Sequence, residues 1–159
     1  MKTHQAGLSL IEVLVSLLVM CIGLLGAAAI QLNALKYTDS SSMTSQASFI
    51  AYDMMDRIRA NNTNVSQYAM ANLGVAPTSS NLANAIAQDR YDFATNVTNF
   101  GGTNSSKIEV SNNQVTITIF WSDARAASVV KQDGSTDTSG SNRNFVLVSR
   151  VAADATVTP

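Results

Sequence analysis

The chain opens with a long apolar stretch that carries a single acidic residue near its start. From Val13 to Ile30 there is no charged side chain, and Glu12 stands directly before this run. A continuous helix over residues 8–35 would be roughly 40 Å long, enough to cross a hydrocarbon core of about 30 Å. Because a carboxylate beside hydrocarbon is costly, Glu12 is a candidate functional residue.

The order of features at the N-terminus differs from that of a secretory signal peptide, whose cleavage site follows its apolar core. Here the small residue Gly7 precedes the apolar stretch, and no Ala-x-Ala site with suitable flanks closes it. A cut after Gly7 would make Leu8 the first residue, with Glu12 one helical turn away on the same face. The new amine can pair with Glu12 within one chain or between chains, or Glu12 can stay unpaired at the membrane surface. Lys2 predicts that the leader is cytoplasmic.

The residues from Gly7 to Val15, Gly-Leu-Ser-Leu-Ile-Glu-Val-Leu-Val, resemble the class III signal of type IV pilins and pseudopilins. The resemblance implies that a prepilin peptidase cleaves after Gly7 and methylates the amine of Leu8, where that family most often has phenylalanine. It implies that Glu12 pairs with a neighbouring subunit's terminal amine during assembly. It also implies an inner-membrane anchor with a periplasmic head, later a place in a surface filament, and as partners membrane lipid, the major pilin and other minor pilins.

Helical periodicity continues beyond the anchor as an amphipathic pattern. Apolar residues recur at spacings of three and four, at Met43, Ala47, Ile50, Met54 and Ile58. The opposite face carries two acid–base pairs, Asp53 with Arg57 and Asp56 with Arg59. Asp53 and Asp56 have the spacing to ligate a cation from one helical face, but surface ion pairs are the favoured interpretation. Asn61 and Asn62 predict the end of the helix.

The segment from Gln46 to Asn61 resembles the helix end of the PilV family of minor pilins, the type IV pilus modification proteins. Its Asp-x-x-Asp-Arg-x-Arg-Ala-Asn ending favours this family over the minor pseudopilins of type II secretion, which share the anchor and the helix. The resemblance covers residues 1–60 and implies a structural subunit that initiates or modifies pilus assembly. A membrane-tethered periplasmic binding domain that never polymerises is the alternative from another class.

The middle of the chain predicts a loop and then a second helix. Residues 61–80 are rich in Asn, Ser and Thr, whereas residues 81–100 have helical spacing with Tyr91 or Phe93 on the apolar face. Gly101 and Gly102 predict its C-terminus. Candidate N-caps precede the helix at Thr78, Ser79 and Ser80.

From Lys107 onward, apolar residues recur at every second position, which is the spacing of a β-strand. Residues 107–110 and 114–121, joined by a turn at Asn112–Asn113, predict a β-hairpin. One face of the second strand consists of Val115, Ile117, Ile119 and Trp121, and the other carries Thr116 and Thr118. Residues 144–151 predict a third strand after a loop from Gln132 to Asn142, within which residues 135–141 are either a linker or a partner contact.

These elements predict an α+β fold of type IV pilin-like architecture, a long N-terminal transmembrane and stalk helix packed on a small antiparallel sheet. The predicted organisation is a leader at residues 1–7, a long helix at 8–61 with its membrane anchor at 8–35, and a globular head at 62–159. The head is the single soluble domain that the chain length allows.

Composition gives no support for catalysis or nucleic-acid binding. The net charge is −1, the sole histidine is His4 in the leader, and the sole cysteine is Cys21 in the anchor. An intramolecular disulfide is therefore impossible, and no residue spacing suits a metal or nucleophile site. Met54, Met55 and Trp121 are interpreted as core residues. We expect no cofactor, no metal, no small-molecule substrate and no enzymatic activity.

Two glycines interrupt the otherwise strong helix of the anchor. Gly23 and Gly26 each cost about 1 kcal/mol of helix stability relative to Ala. Pilin anchors commonly carry a proline where the helix melts within the filament, and this stretch has none. The interval from Gly23 to Gly26 is therefore predicted to be the equivalent hinge.

Overall fold

The computed structural model describes residues 9–123, 129–130, 136–137 and 142–151. The chain divides into two compact units, Met1–Thr38 and Asp39–Pro159. One helix, α1, runs from Leu10 to Ala60 and contributes residues to both units. It ends one residue before the end of the predicted range 8–61, directly before Asn61 and Asn62, which predict a helix end.

In the second unit, α1 supplies the apolar face that its spacing predicts. Ala47, Met54 and Ile58 are buried, and Met43 and Ile50 are partly buried against them. Two further residues of the helix, Ala51 and Met55, complete this face. The interpretation of both methionines as core residues is confirmed.

The predicted hairpin and third strand form one antiparallel sheet. Its strands are β1 (Lys107–Ser111), β2 (Gln114–Ser122) and β5 (Asn142–Arg150), in the order β1-β2-β5. Asn112 and Asn113 join β1 to β2 with φ values of 49° and 61°, as a tight hairpin turn requires. The expected α+β fold, a long helix with a small antiparallel sheet, is confirmed.

The two faces of β2 differ less in burial than the alternation of apolar and polar residues predicts. Val115, Ile117, Ile119 and Trp121 are all buried, as expected. Thr118 on the opposite face is also buried, although it was placed on the polar side. Its cross-strand neighbours explain this, because Lys107 of β1 and Val146 of β5 flank it in the central strand.

Trp121 is a core residue, as its position on the sheet predicts. Its side chain is 2% exposed, and its ring meets that of Phe100 edge to face with centroids 5.6 Å apart. This geometry is the favoured one for an aromatic pair. The pair ties the end of the second helix to the inner face of the sheet.

The predicted loop from Gln132 to Asn142 is wrong at three of its positions, one of which is Asn142, the first residue of β5. Strand β4 (Thr136–Asp137) pairs antiparallel with β3 (Val129–Val130), forming a separate two-stranded ladder. Strands of two residues are too short to show a hydrophobic period. The rest of residues 135–141 lies outside the described residues.

The segment predicted as a loop from residue 61 to 80 contains two 3₁₀ helices, Asn62–Tyr68 and Leu73–Val75. It also supplies two core residues, Tyr68 and Met70, which are 0% and 2% exposed. The backbone of Met70 exchanges hydrogen bonds of 2.8 and 2.9 Å with Ile108 of β1. The sequence prediction missed these contributions because isolated apolar residues among Asn and Ser have no period.

The second helix, α2, runs from Ala85 to Phe100, so the predicted start at residue 81 is wrong. Its N-cap is Asn84, whose side chain accepts a hydrogen bond from the Ala87 amide at 3.1 Å, rather than the predicted Thr78, Ser79 or Ser80. Gln88 of the helix instead accepts hydrogen bonds from the side chain of Ser80 and the amide of Asn81. The chain before Asn84 is thereby held outside the helix.

The C-terminal half of α2 agrees with the prediction. Gly101 ends the helix in the left-handed conformation, with a φ of 91°. Of the two aromatic candidates for its apolar face, Phe93 is buried and Tyr91 is only partly buried. Phe93 is therefore the core residue, and Tyr91 is left at the surface of the head.

Arg57 connects α1 to α2 through three carboxylates. Its Nε donates to Asp53 at 3.0 Å, as the spacing predicts, and its Nη1 donates to Asp89 at 3.0 Å and Asp92 at 2.9 Å. The predicted pair of Asp53 with Arg57 is confirmed, but the sequence prediction missed the two carboxylates of α2. The side chain of Asp89 is only 16% exposed, and its hydrogen bond is the main cause that raises the pKa of Arg57 above its usual range. The pair Asp56–Arg59, at 2.9 Å, is exposed as predicted.

Tyr68 extends this polar cluster into the core. Its hydroxyl donates to Asp89 at 2.9 Å and accepts from Asn61 at 3.2 Å. Burial, aided by the Asp89 carboxylate, raises the pKa of Tyr68 to about 12, although the hydrogen bond from Asn61 lowers it. Asp89 thus receives one hydrogen bond from a cation of α1 and one from a buried phenol.

We expect Arg57→Ala to lower the free energy of unfolding of the head by about 2–3 kcal/mol, because it leaves Asp89 and Asp92 without their cation. The matched variant Arg59→Ala removes an exposed pair and should cost under about 1 kcal/mol. Urea titration of the full chain in micelles, followed by Trp121 fluorescence, measures both. Equal losses for the two arginines would contradict the central role of Arg57.

We expect the head to lose stability as pH rises from about 10 to 12, because the folded state keeps the Tyr68 phenol protonated more strongly than the unfolded chain does. This contribution is fully present below pH 10 and lost as pH passes the raised pKa. Tyr68→Phe should flatten the dependence in that interval. Tyr52→Phe, at an exposed residue, is the control and should leave the slope unchanged.

Candidate assembly segment

The start of α1 is built around Ser9. Its carbonyl accepts hydrogen bonds from the amides of Glu12 at 3.0 Å and Val13 at 3.3 Å, so Ser9 occupies the N-cap position. Ser9 and Glu12 have the spacing of a capping box, in which a serine precedes a glutamate by three residues. This spacing is readable in the sequence, and the sequence analysis missed it. The predicted cleavage site, Gly7 and Leu8, lies outside the described residues, as do Lys2 and His4.

Glu12 lies in the first turn of α1 and is exposed. A carboxylate there gains from the partial positive charge at the helix N-terminus. The hydroxyl of Ser16 donates to the Glu12 carbonyl at 2.7 Å, which satisfies a polar side chain within the apolar stretch. Toward the C-terminus, the next ionisable group other than the Cys21 thiol is Lys36. Glu12 is thus the sole carboxylate of a long apolar surface.

The apolar surface of α1 is uncovered throughout the first unit. Its large apolar side chains between Leu10 and Leu35 are 44% to 78% exposed. The most apolar 18-residue window has a mean hydropathy of 2.7 and no buried residue, so α1 is long and apolar enough to cross a membrane. Cys21 is an exposed free thiol on this surface.

Gly23 and Gly26 both lie inside α1, which is helical on either side of them. A Cβ atom added at either position would meet no atom within 4 Å. Neither glycine is therefore required by close packing within the chain. Their predicted role as a hinge stays a prediction.

The candidate cation site at Asp53 and Asp56 is occupied by protein cations. Asp53 contacts Arg57 and Asp56 contacts Arg59, each within 3.0 Å. In the part of the chain that the structure describes, no three His, Cys, Asp or Glu side chains come together as metal ligands. The chemistry that the described residues offer at α1 is thus association through an apolar surface with one charge.

Comparison with known families agrees with this arrangement. Residues 2–28 match the prokaryotic N-terminal methylation motif, and residues 29–99 match the family of type IV pilin Tt1218. Comparisons with curated proteins and with solved structures give no match. The motif implies processing by a prepilin peptidase and pilins as partners, and type IV pilins are a structural family. The chain is therefore similar to a type IV pilin family over residues 29–99, carries the prepilin methylation motif over residues 2–28, and has a fold consistent with the pilin-like α+β architecture.

Proposed function

We propose that the chain is a prepilin that becomes a minor structural subunit of a type IV pilus, where it initiates or modifies assembly. The observation that carries the proposal is the uncovered apolar surface of α1 with Glu12 at its start. Burying a large apolar side chain is worth about 1.5–3 kcal/mol, so this surface requires a bilayer or neighbouring helices around it. A pilin subunit encounters both environments in turn.

The proposal assigns the N-terminal residues separate roles. Cleavage after Gly7 creates the amine of Leu8, which is then methylated. Glu12 lies four residues later in the chain. A carboxylate moved from the membrane surface into a packed bundle of helices needs a cation. The amine of a neighbouring subunit supplies it in one register, so the pair fixes the position of each new subunit.

Topology and partners follow from the same features. Lys2 keeps the leader residues 1–7 in the cytoplasm, the anchor at residues 8–35 crosses the inner membrane, and the head at 62–159 lies in the periplasm. The partners are then membrane lipid, the prepilin peptidase, the major pilin and other minor pilins. The PilV-like end of the helix supports a minor pilin over a pseudopilin of type II secretion.

Substitution of Glu12 tests this function, with the chain expressed in its own host and measured in sheared filaments and in the membrane. Glu12→Ala and Glu12→Gln should each lower the amount in filaments by roughly tenfold or more, because both remove a charge-assisted hydrogen bond. Glu12→Gln keeps the capping-box spacing, so it separates the charge from helix capping. Glu109→Gln changes the only other glutamate and should have no effect.

The remaining outcomes distinguish the alternatives. A wild-type chain that stays in the membrane while its deletion leaves piliation intact would indicate a tethered periplasmic domain. A deletion that blocks protein secretion and spares pili would indicate a pseudopilin. Normal filament incorporation of Glu12→Gln would show that the charge is not needed and would contradict the register role.

Replacement of the anchor glycines tests the hinge. Gly23→Ala and Gly26→Ala fit sterically and should each stabilise the helix by about 1 kcal/mol. In filaments, amide exchange over residues 20–30 should slow, and the amount of chain incorporated should fall. Ala28→Ser, a small-residue change outside the glycine pair, is the control. Exchange over residues 20–30 as slow in the wild type as over residues 13–18 would contradict the hinge.

A further inference from the structure

The head has a shallow depression of about 480 Å³ on one flank of α2. Tyr91, Thr95 and Asn99 line it from successive turns of the helix, and Asn104 lines it from the segment before β1. Gly74 and Gly102 also line it, and a Cβ atom added at Gly102 would collide with Val97. The depression lies within the second unit.

The polar side chains around this depression have unused hydrogen-bonding capacity. Among the described residues, the side chains of Tyr91, Thr95, Asn99 and Asn104 make no hydrogen bond to other protein groups. On the flank of α2 that faces α1, by contrast, Gln88, Asp89 and Asp92 all bond within the protein. One flank of the helix is therefore used for the fold. On the other flank these side chains keep their donors and acceptors available, whereas the Thr98 hydroxyl donates to the Ala94 carbonyl at 2.7 Å.

The chemistry of the lining selects a neutral ligand. None of the described residues that line the depression has a carboxylate, an ammonium or a guanidinium group. Amides and hydroxyls both donate and accept hydrogen bonds, which matches a ligand rich in hydroxyl groups. Arg90 of α2 does not line the depression and donates to the Val75 carbonyl at 2.9 Å, so the lining itself offers no charge to an ion or a phosphate.

Two main-chain groups at the depression are already engaged. The amide of Leu73 donates to the carbonyl of Asn104 at 3.1 Å, and the amide of Gly102 donates to that of Val97 at 2.8 Å. Peptide recognition by strand addition relies on free main-chain groups of this kind. The depression therefore offers polar side chains to a ligand, whereas a peptide that binds by strand addition would need free main-chain amides and carbonyls.

We propose that this depression binds a neutral glycan. Tyr91 is partly buried and lines the depression, so its ring offers an apolar surface for the C–H face of a pyranose. Thr95, Asn99 and Asn104 bond the sugar hydroxyls around that ring. The open shape predicts weak binding, with a dissociation constant on the order of 1 mM. This activity goes beyond filament assembly and does not depend on it.

Nuclear magnetic resonance of the ¹⁵N-labelled full chain in phosphocholine micelles tests the proposal, since this detergent has no sugar headgroup. The probes are the neutral trisaccharides triacetylchitotriose and maltotriose, and trigalacturonate as an acidic control. We expect at least one neutral probe to shift the signals of Tyr91, Thr95, Asn99 and Asn104, including the side-chain amides. Trigalacturonate should give smaller shifts.

Two asparagines one turn apart on α2 give the matched variants. Asn99→Ala should weaken binding by about 3–10-fold, the effect of losing one or two hydrogen bonds. Asn96→Ala, at an exposed residue that does not line the depression, should leave it unchanged. Tyr91→Ala should also weaken binding, and Trp121 fluorescence confirms that each variant is folded.

Several results would overturn the proposal. One is that neither neutral sugar shifts these signals. Another is that Asn96→Ala weakens binding as much as Asn99→Ala. A neutral peptide of Asn, Ser and Thr that shifts the same amides when the sugars do not would identify a protein-contact surface instead. Because the assay uses isolated chains, these outcomes are independent of whether the chain enters a filament.

Discussion

The apolar surface of α1 is the constraint on which the rest of the molecule depends. Between Leu10 and Leu35 the helix is uncovered on every side, so it is stable only where lipid or other helices replace water. Beyond that stretch the same helix becomes amphipathic and buries one face in the head. Helix α1 therefore has two parts. Its first part needs lipid or neighbouring helices to cover it, and its second part packs in the core of the same chain.

Inside the head, two kinds of interaction hold α2 in place. Phe93 and Val97 bury apolar area, whereas Arg57 fixes direction by meeting carboxylates at defined distances. Apolar contacts alone would allow α2 to slide along α1. The Arg57 guanidinium, which contacts three carboxylates at once, allows few other positions of α2. Because Asp89 also accepts from Tyr68, the orientation of α2 is coupled to the 3₁₀ segment that precedes it. The opposite flank of α2 is thereby presented to solvent in one fixed position.

The sequence predicted the elements that have a clear period and missed those that do not. The α1 core face, the Asn112–Asn113 hairpin and the third strand were predictable because their spacing repeats over several turns or residue pairs. Tyr68, Met70 and the short β3–β4 ladder were not, since single residues and two-residue strands show no period. Only part of the Arg57 cluster could be predicted from the sequence. Asp53 is four residues from Arg57 in the same helix, but Asp89 and Asp92 are more than thirty residues away. At the candidate assembly segment, Glu12 was evident from charge alone, and the spacing of Ser9 and Glu12 was also readable in the sequence as a capping box.

The hydroxyl groups that follow the anchor have a consequence for how α1 crosses between environments. Thr38, Thr44 and Ser45 donate to carbonyls four residues earlier, and Ser48 donates to one three residues earlier. A hydroxyl bonded to its own helix has little need of water, so moving it into a less polar surrounding costs less than its composition suggests. From Ser40 to Ser48, where no residue is charged, the helix therefore costs less to desolvate than its sequence suggests. Within residues 40–48, the boundary between water and neighbouring protein can therefore shift along the helix with a small change in free energy.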